Sequence, residues 1–259
     1  IRERGWMKYD DTAQKDRVLP SLQKGDKVNI NFVKLERETT PPKHYTIETL
    51  NNYLKNPFKE ERAEALNAYV ASERAAIEAL AATISEENKP SVYICGLGNW
   101  GTTDHLMTAE NYISFQIANV KNVVSGLSMQ GVGAIEEEKF VSIGADMDMI
   151  IMDAAAVKNI APLYAEDPTM FDTCKAWQNG EVYLEMAYNA YYTNYEIALV
   201  NTWFIAKTVY PEAFADIDLT AKTNEVTMQF LGSELADAIF ACPSSFGGYQ
   251  KIDTDTFFN

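Results

Sequence analysis

Three short stretches of the chain gather side chains able to hold a ligand. Gly96 and Gly98 lead into Trp100, Thr103, Asp104 and His105; the run MIIMD ends in Asp153; and EVYLEM is followed by Tyr188, Asn189, Tyr191, Tyr192 and Asn194. Tyrosine and tryptophan offer flat, rigid contact area with a hydrogen-bonding tip. Asn, Thr and His add directional donors and acceptors. Such a set suits holding a molecule rather than transforming one. The blander readings are a capped helix start for Thr102, Thr103 or Asp104, and a packed helix N-terminus for the tyrosines.

Catalytic and metal chemistry find less support. There is no G-x-S-x-G elbow, P-loop or G-x-G-x-x-G, and Gly96-Leu97-Gly98 lacks the third glycine. With two histidines in the chain, a nucleophile–histidine–acid set could be assembled only arbitrarily. A lone histidine such as His105 is more often structural than a metal ligand. Asp146 and Asp148 have Asp-x-Asp spacing, but within GADMDMIIMD they read as a helix–strand junction. Cys95, Cys174 and Cys242 have neither a disulfide framework nor metal spacing. No catalytic residue, no metal site and no covalent cofactor are expected.

The elements that must position these residues alternate. KEERAEALNAYVASERAAIEALAATISEEN, residues 59–88, has no proline or glycine, and Leu66, Tyr69, Val70, Ile77, Leu80 and Ile84 recur at helical spacing. SVYICG, MDMIIMD and EVYLEM read as strands, the first with an apolar run suited to burial on both faces. Helices are expected over about 103–117, EEEKFVSIGA, AAAVKNIAPLYAED (where Pro162 kinks or ends it), MFDTCKAWQN, NYEIALVNTWFIAKTVY and TAKTNEVTMQFLG, and NVVSGL is a loop or short strand. Alternation of this kind predicts a parallel sheet between helices, a three-layer, Rossmann-like α/β lobe. In such a sheet the segments after the strands share one edge, so the three stretches converge on one rim. Ahead of the long helix, residues 1–58 read as a small β-containing segment with a strand at 27–33, the Pro41-Pro42 break and a short helix from Thr46 or Ile47. The division expected is 1–58, 59–89 and 90–259.

Charge divides the chain too. Residues 1–60 hold 12 Lys and Arg against 9 Asp and Glu, whereas residues 61–259 hold 10 against 28. The acidic surface of 61–259 repels polyphosphate and argues against nucleic acid there; the basic residues of 1–58 permit at most a weak contact. No apolar run is long enough for a transmembrane helix. The opening IRERGWMKYDD reads as neither a signal peptide nor a natural start.

Two family resemblances emerge. Gly5-Trp6, LPSLQKGDKV (residues 19–28) and TTPPKHYTIETLNNYLKNP (residues 39–57) resemble part of a type IA DNA topoisomerase, topoisomerase III, without its active-site tyrosine strand or acidic metal-binding domain. The resemblance implies a DNA-associated, cytoplasmic protein. Over residues 65–259 the order long helix, SVYICGLGNWGTTD, EKFVSIGADMDMIIMD, NGEVYLEM, NYEIALVNTWFIAKTVYPEAF and FGGYQKID resembles the backbone helix and C-terminal lobe of an iron-complex substrate-binding protein of an ABC importer, of the class with a helical backbone. That resemblance implies a non-enzymatic solute receptor outside the cytoplasmic membrane, an iron chelate such as a ferric siderophore as ligand, and an ABC permease as partner. The topoisomerase-like segment stands where that class has its N-terminal lobe, so half of the expected cleft is replaced and self-association through the exposed half is a further outcome.

Overall fold

A computed structural model describes Lys24 and residues 57–98, 103–189 and 192–258. The chain divides into residues 1–53 and 54–259, and the second unit is the one described below. The strand, helix and topoisomerase-like motifs expected before residue 57 lie outside the described residues.

Helix α1 runs Pro57–Ala81, shorter at its C-terminus than the 59–88 expected. The last residues turn and form a 3-10 segment, Glu86–Asn88. Ile77 and Ala81 are wholly buried, while Leu66, Tyr69, Val70 and Leu80 are half-buried, so the helix does present one packed face. After it come β1 (Ser91–Cys95), β2 (Met107–Ala109), α2 (Ile113–Ile117), β3 (Lys121–Asn122), β4 (Val132–Ala134), α3 (Glu137–Gly144) and β5 (Met149–Asp153). The second half holds α4 (Val157–Glu166), α5 (Lys175–Gln178), β6 (Val182–Glu185), α6 (Tyr195–Val209), α7 (Leu219–Leu231), α8 (Ala236–Phe240) and β7 (Gln250–Lys251).

The main sheet has the order β3-β1-β5-β6-β7. Its first four strands are parallel, and β7 closes the edge antiparallel to β6. The expected α/β architecture with a largely parallel sheet is present. Strand side chains alternate between two apolar layers, as a period of two requires. Tyr93, Cys95, Ile150, Met152, Val182 and Leu184 pack with Phe140 and Ile143 of α3, Ile160 of α4 and Trp177 of α5. Val92, Ile94, Met149 and Ile151 pack with Ile77 of α1, Phe115 of α2 and Phe204 and Ile205 of α6. Helices therefore cover both faces of the sheet.

Three departures from the sequence reading have local causes. The helix expected over 103–117 is instead a turn, β2 and the short α2. Asp104 Oδ1 accepts from Leu106 N at 2.9 Å, which closes an Asx-type turn, and β2 then pairs antiparallel with β4. MFDTCKAWQN splits into a 3-10 turn, Pro168–Thr173, and α5, because Asp167 Oδ1 caps Thr169 N. Pro162 neither ends nor replaces α4, which runs through it. The Asp-x-Asp pair is a junction as read: Asp148 accepts from Ser91 N at 2.8 Å and pairs with Lys175 at 2.5 Å.

α1 is fixed to the sheet layer by a polar node rather than by apolar burial alone. Buried Glu73 accepts the Trp203 indole N–H at 2.8 Å and the Lys222 ammonium at 3.1 Å. That ammonium lies 4.9 Å from the centroid of the Trp203 ring and pairs also with Glu225 at 2.7 Å. Removing the shared acceptor leaves a buried indole donor and a desolvated cation short of a partner. Glu73→Ala is expected to lower unfolding stability by about 2 kcal/mol; a urea midpoint equal to that of the unaltered protein would contradict the node's role.

Candidate functional site

The site is assembled at the carboxyl edge of three adjacent strands. In-register pairing sets Cys95 beside Met152 and Asp153 beside Glu185, so the segments leaving β1, β5 and β6 start level with one another. Gly96 turns the chain at φ +81°, and a Cβ there would stand 2.3 Å from the Ala156 Cβ. Only glycine allows the β1 loop to approach the turn after β5 so closely. Asn159 Nδ2 of α4 donates to Thr103 O at 2.6 Å, and Asn189 Nδ2 donates to Gly98 O at 3.4 Å. The loops after β1, β5 and β6 are thus tied to one another side by side.

The residues expected on this rim fall at different depths. Thr103 is half-buried and its hydroxyl donates to Gly96 O; Asp104 is half-buried and serves the turn. Tyr188 and Asn189 are half-buried, and Tyr192 and Asn194 are exposed. Tyr192 is 87% exposed and Tyr195 70%. Asn194 is the N-cap of α6 with no side-chain cap bond, and its backbone N–H donates to Tyr188 O at 2.8 Å. The Asn194 and Tyr192 side chains are accordingly not spent on local structure. Trp100 and Tyr191 lie outside the described residues.

Two placements correct the sequence reading. His105 does not face the rim. It is 3% exposed, wedged between the Phe140 and Phe171 rings at 5.2 and 5.1 Å, and neither ring nitrogen has a partner. Burial lowers its pKa despite the carboxylates of Asp104 and Glu137 nearby, so it sits neutral in the apolar layer. Asp153 is wholly buried too, beneath the rim rather than on it. Its Oδ1 accepts from Ala155 N at 2.8 Å and caps the turn after β5.

Glu185, which sequence reasoning passed over, lies next to it. Both carboxyls point to the α6 face, because Asp153 follows Met149 and Ile151 at steps of two and Glu185 follows Tyr183. Glu185 is wholly buried, and its Oε1 accepts from the Tyr112 hydroxyl at 2.9 Å. Asp153 Oδ2 and Glu185 Oε2 have no partner. Burial pushes Asp153 up to about 7 and Glu185 upward as well, the latter aided by Asp153 beside it. A usable signal existed: two neighbouring strands, MIIMD and EVYLE, both end in an acid.

Two surface hollows lie away from this rim. One of about 650 Å³, lined by Tyr164, Trp177, Gly180 and Asp253, sits at the amino edge of β6. The other, about 660 Å³, lies between α3 and α4 along Glu137, Val141, Leu163 and Met170. Among the described residues, no group of three or more His, Cys, Asp or Glu side chains could hold a metal ion, and no helix is long and apolar enough to cross a membrane.

No family model and no curated protein matches the sequence. Solved structures do match the fold. The chain is similar to an ABC transporter solute-binding protein from Sulfurospirillum deleyianum, at 20% identity and TM-score 0.54 over 70% of this chain and 55% of that one. It is similar also to the TroA-like periplasmic binding protein FepB from Veillonella parvula, at 18% identity and TM-score 0.50 over 68% and 54%. A third, Helicobacter pylori CeuE in a Ni-His complex, aligns at 16% identity and TM-score 0.50 over 66% and 54%. The chain spans about half the length of the structures it matches. These likenesses establish a TroA-like periplasmic-binding-protein fold.

Two measurements check the site's construction. Gly96→Ala adds a methyl group into Ala156 at a left-handed backbone position and is expected to cost about 3–5 kcal/mol, whereas Gly126→Ala, at φ +88° with open space around it, costs only about 1 kcal/mol. Equal losses in the two variants would refute the close approach. Asp153, raised above its unfolded value, contributes stability that is fully present below the ordinary carboxylate range and lost as pH rises through about 7. Asp153→Asn is therefore expected to gain stability over the unaltered protein progressively from pH 5 to pH 8; a constant difference across that range would contradict the raised value.

Proposed function

We propose that residues 54–259 form a lobe of a non-enzymatic solute-binding protein, which holds a metal complex such as a ferric chelate against the rim and presents it to an ABC permease outside the cytoplasmic membrane. The reading rests on one observation: loops from three parallel strands are tied together at a single sheet edge and leave aromatic and amide side chains there without a structural task. Open α/β sheets place ligands at such an edge. On this reading Thr103, Asp104, Tyr188, Asn189, Tyr192 and Asn194 contact the ligand, together with Trp100 and Tyr191.

The chemistry of the rim fits capture. Tyr192 and Tyr195 supply flat apolar area at little cost in side-chain freedom. The amide of Asn194, which makes no cap bond, supplies donors to the oxygen-rich shell of a chelate and an acceptor to its N–H groups, and Asn189 adds the second N–H of its amide. Among the described residues of this edge no nucleophile stands beside a general base, which supports a ligand that leaves unchanged. The structures of similar fold include one named as an ABC transporter solute-binding protein and, separately, CeuE in a Ni-His complex, which supports a metal complex as ligand. α1 then serves as the helical backbone of this unit, with 59–89 as the helix and 90–259 as the sheet-bearing part.

Titration of the full chain with a panel of ferric chelates, followed by tryptophan fluorescence, tests this. Saturable quenching with a dissociation constant in the micromolar range or below is expected. Tyr192→Ala, at a site 87% exposed, is expected to weaken it about tenfold, about 1.4 kcal/mol, with an unchanged melting temperature. No quenching by any chelate would overturn the proposal.

A further inference from the structure

The two carboxyl groups under the rim have an arrangement that a purely structural role leaves unexplained. Asp153 and Glu185 are in-register partners on adjacent parallel strands and send their side chains to the same face. Both are wholly buried, and each has one oxygen held and one without a partner. A buried acceptor left unmet costs about 1–3 kcal/mol, and two negative charges this close in a dry site cannot coexist without a counter-charge.

No such counter-charge comes from the protein among the described residues. The titratable groups on the pair's side of the sheet are Tyr112 ahead of α2, Tyr188 after β6 and Tyr249 ahead of β7, whereas Cys95 of β1 points into the other layer. All of these are acids that burial holds in the neutral form. The one nearby amide is committed: Asn201 Nδ2 donates to Met186 O at 2.7 Å, and its Oδ1 accepts from the Tyr249 hydroxyl at 2.7 Å. The half-buried lysines of this layer are committed elsewhere, Lys222 to Glu73 and Glu225 and Lys207 of α6 to the carbonyls of Phe214, Ala215 and Ile217. Protons therefore stand in for the missing cation. The rim reaches the pair through Tyr188, three residues after Glu185, whose ring lies 6.3 Å from that of Tyr112, the residue that holds Glu185.

We infer that the rim selects a ligand bearing positive charge, a cationic metal complex rather than an anionic one, and that its binding displaces a proton from the Asp153–Glu185 pair to solvent. The inference deepens the proposed function and rests on it. A cation brought over the floor favours the ionised pair, so one carboxyl O–H bond breaks, the proton passes to buffer and nothing is oxidised or reduced. By linkage, affinity for a cationic ligand rises with pH until the pair is already ionised, and an anionic ligand gains nothing from the same change.

Calorimetry of the full chain in two buffers of different ionisation enthalpy tests this at pH 6, 7 and 8. The probes are a linear ferric trihydroxamate with a pendant ammonium group and a triply anionic ferric tris-catecholate. The cationic chelate is expected to bind at least tenfold more tightly, to release up to one proton per ligand at pH 6, and to gain up to about tenfold in affinity per pH unit below 7. Asp153→Asn and Glu185→Gln are each expected to reduce the proton release and narrow the charge preference. Cationic binding without proton release, or tris-catecholate binding of equal strength, would overturn this inference and leave the solute-binding reading standing. Binding of neither chelate, with no fluorescence response across the wider panel, would overturn both.

Discussion

The whole arrangement depends on the parallel, in-register alignment of β1, β5 and β6. Because neighbouring residues of aligned parallel strands lie level and point the same way, the three strands end together. Their exits therefore emerge at one edge. The same alternation sorts the strand side chains into two apolar layers, one under α3, α4 and α5 and the other under α1, α2 and α6. A slip of one residue in the β5–β6 register would carry Glu185 to the other face and dissolve the carboxyl pair.

On that alignment the molecule spends its polar groups unevenly. Glu73, Lys222 and Trp203 form a satisfied network that fixes α1. At the opposite extreme, Asp153 and Glu185 carry unmet oxygens in full burial. Stability alone would favour apolar residues at both positions. Two unmet carboxyl oxygens on adjacent strands, at the edge where three loops meet, are the pattern of a surface shaped for a partner molecule. His105 is the contrasting case: equally buried and unpartnered, it is enclosed by Phe140 and Phe171 and held neutral, which makes it a component of the core.

Much of this was legible in the sequence, and what was not has identifiable physical causes. SVYICG, MDMIIMD and EVYLEM declared strands that the structure keeps with trimmed ends, and NYEIALVNTWFIAKTVY declared its helix by composition and by the proline after it. The topology followed from their alternation. The turn at 103–106 rests on a local bond from Leu106 N to Asp104, an acceptor that reads equally well as a helix N-cap, and β2 exists only through its tertiary pairing with β4. His105 was placed on the rim because it stands in a polar run, and local polarity cannot reveal that Phe140 and Phe171 close over it. Glu185 was passed over because the strand expected, EVYLEM, runs one residue past it and makes it an interior position, whereas Asp153 ends its strand. β7 was invisible for a simpler reason: two residues carry no periodicity.

The most direct measurement of the central claim, that three loops make one binding edge, is amide hydrogen exchange of the full chain with and without a saturating ferric chelate. Protection is expected to appear together in three separate segments, residues 96–106, 154–159 and 186–196, with the amino edge near Gly180 and Asp253 unchanged. Protection confined to one of those segments, or centred on the hollow lined by Tyr164 and Trp177, would contradict it.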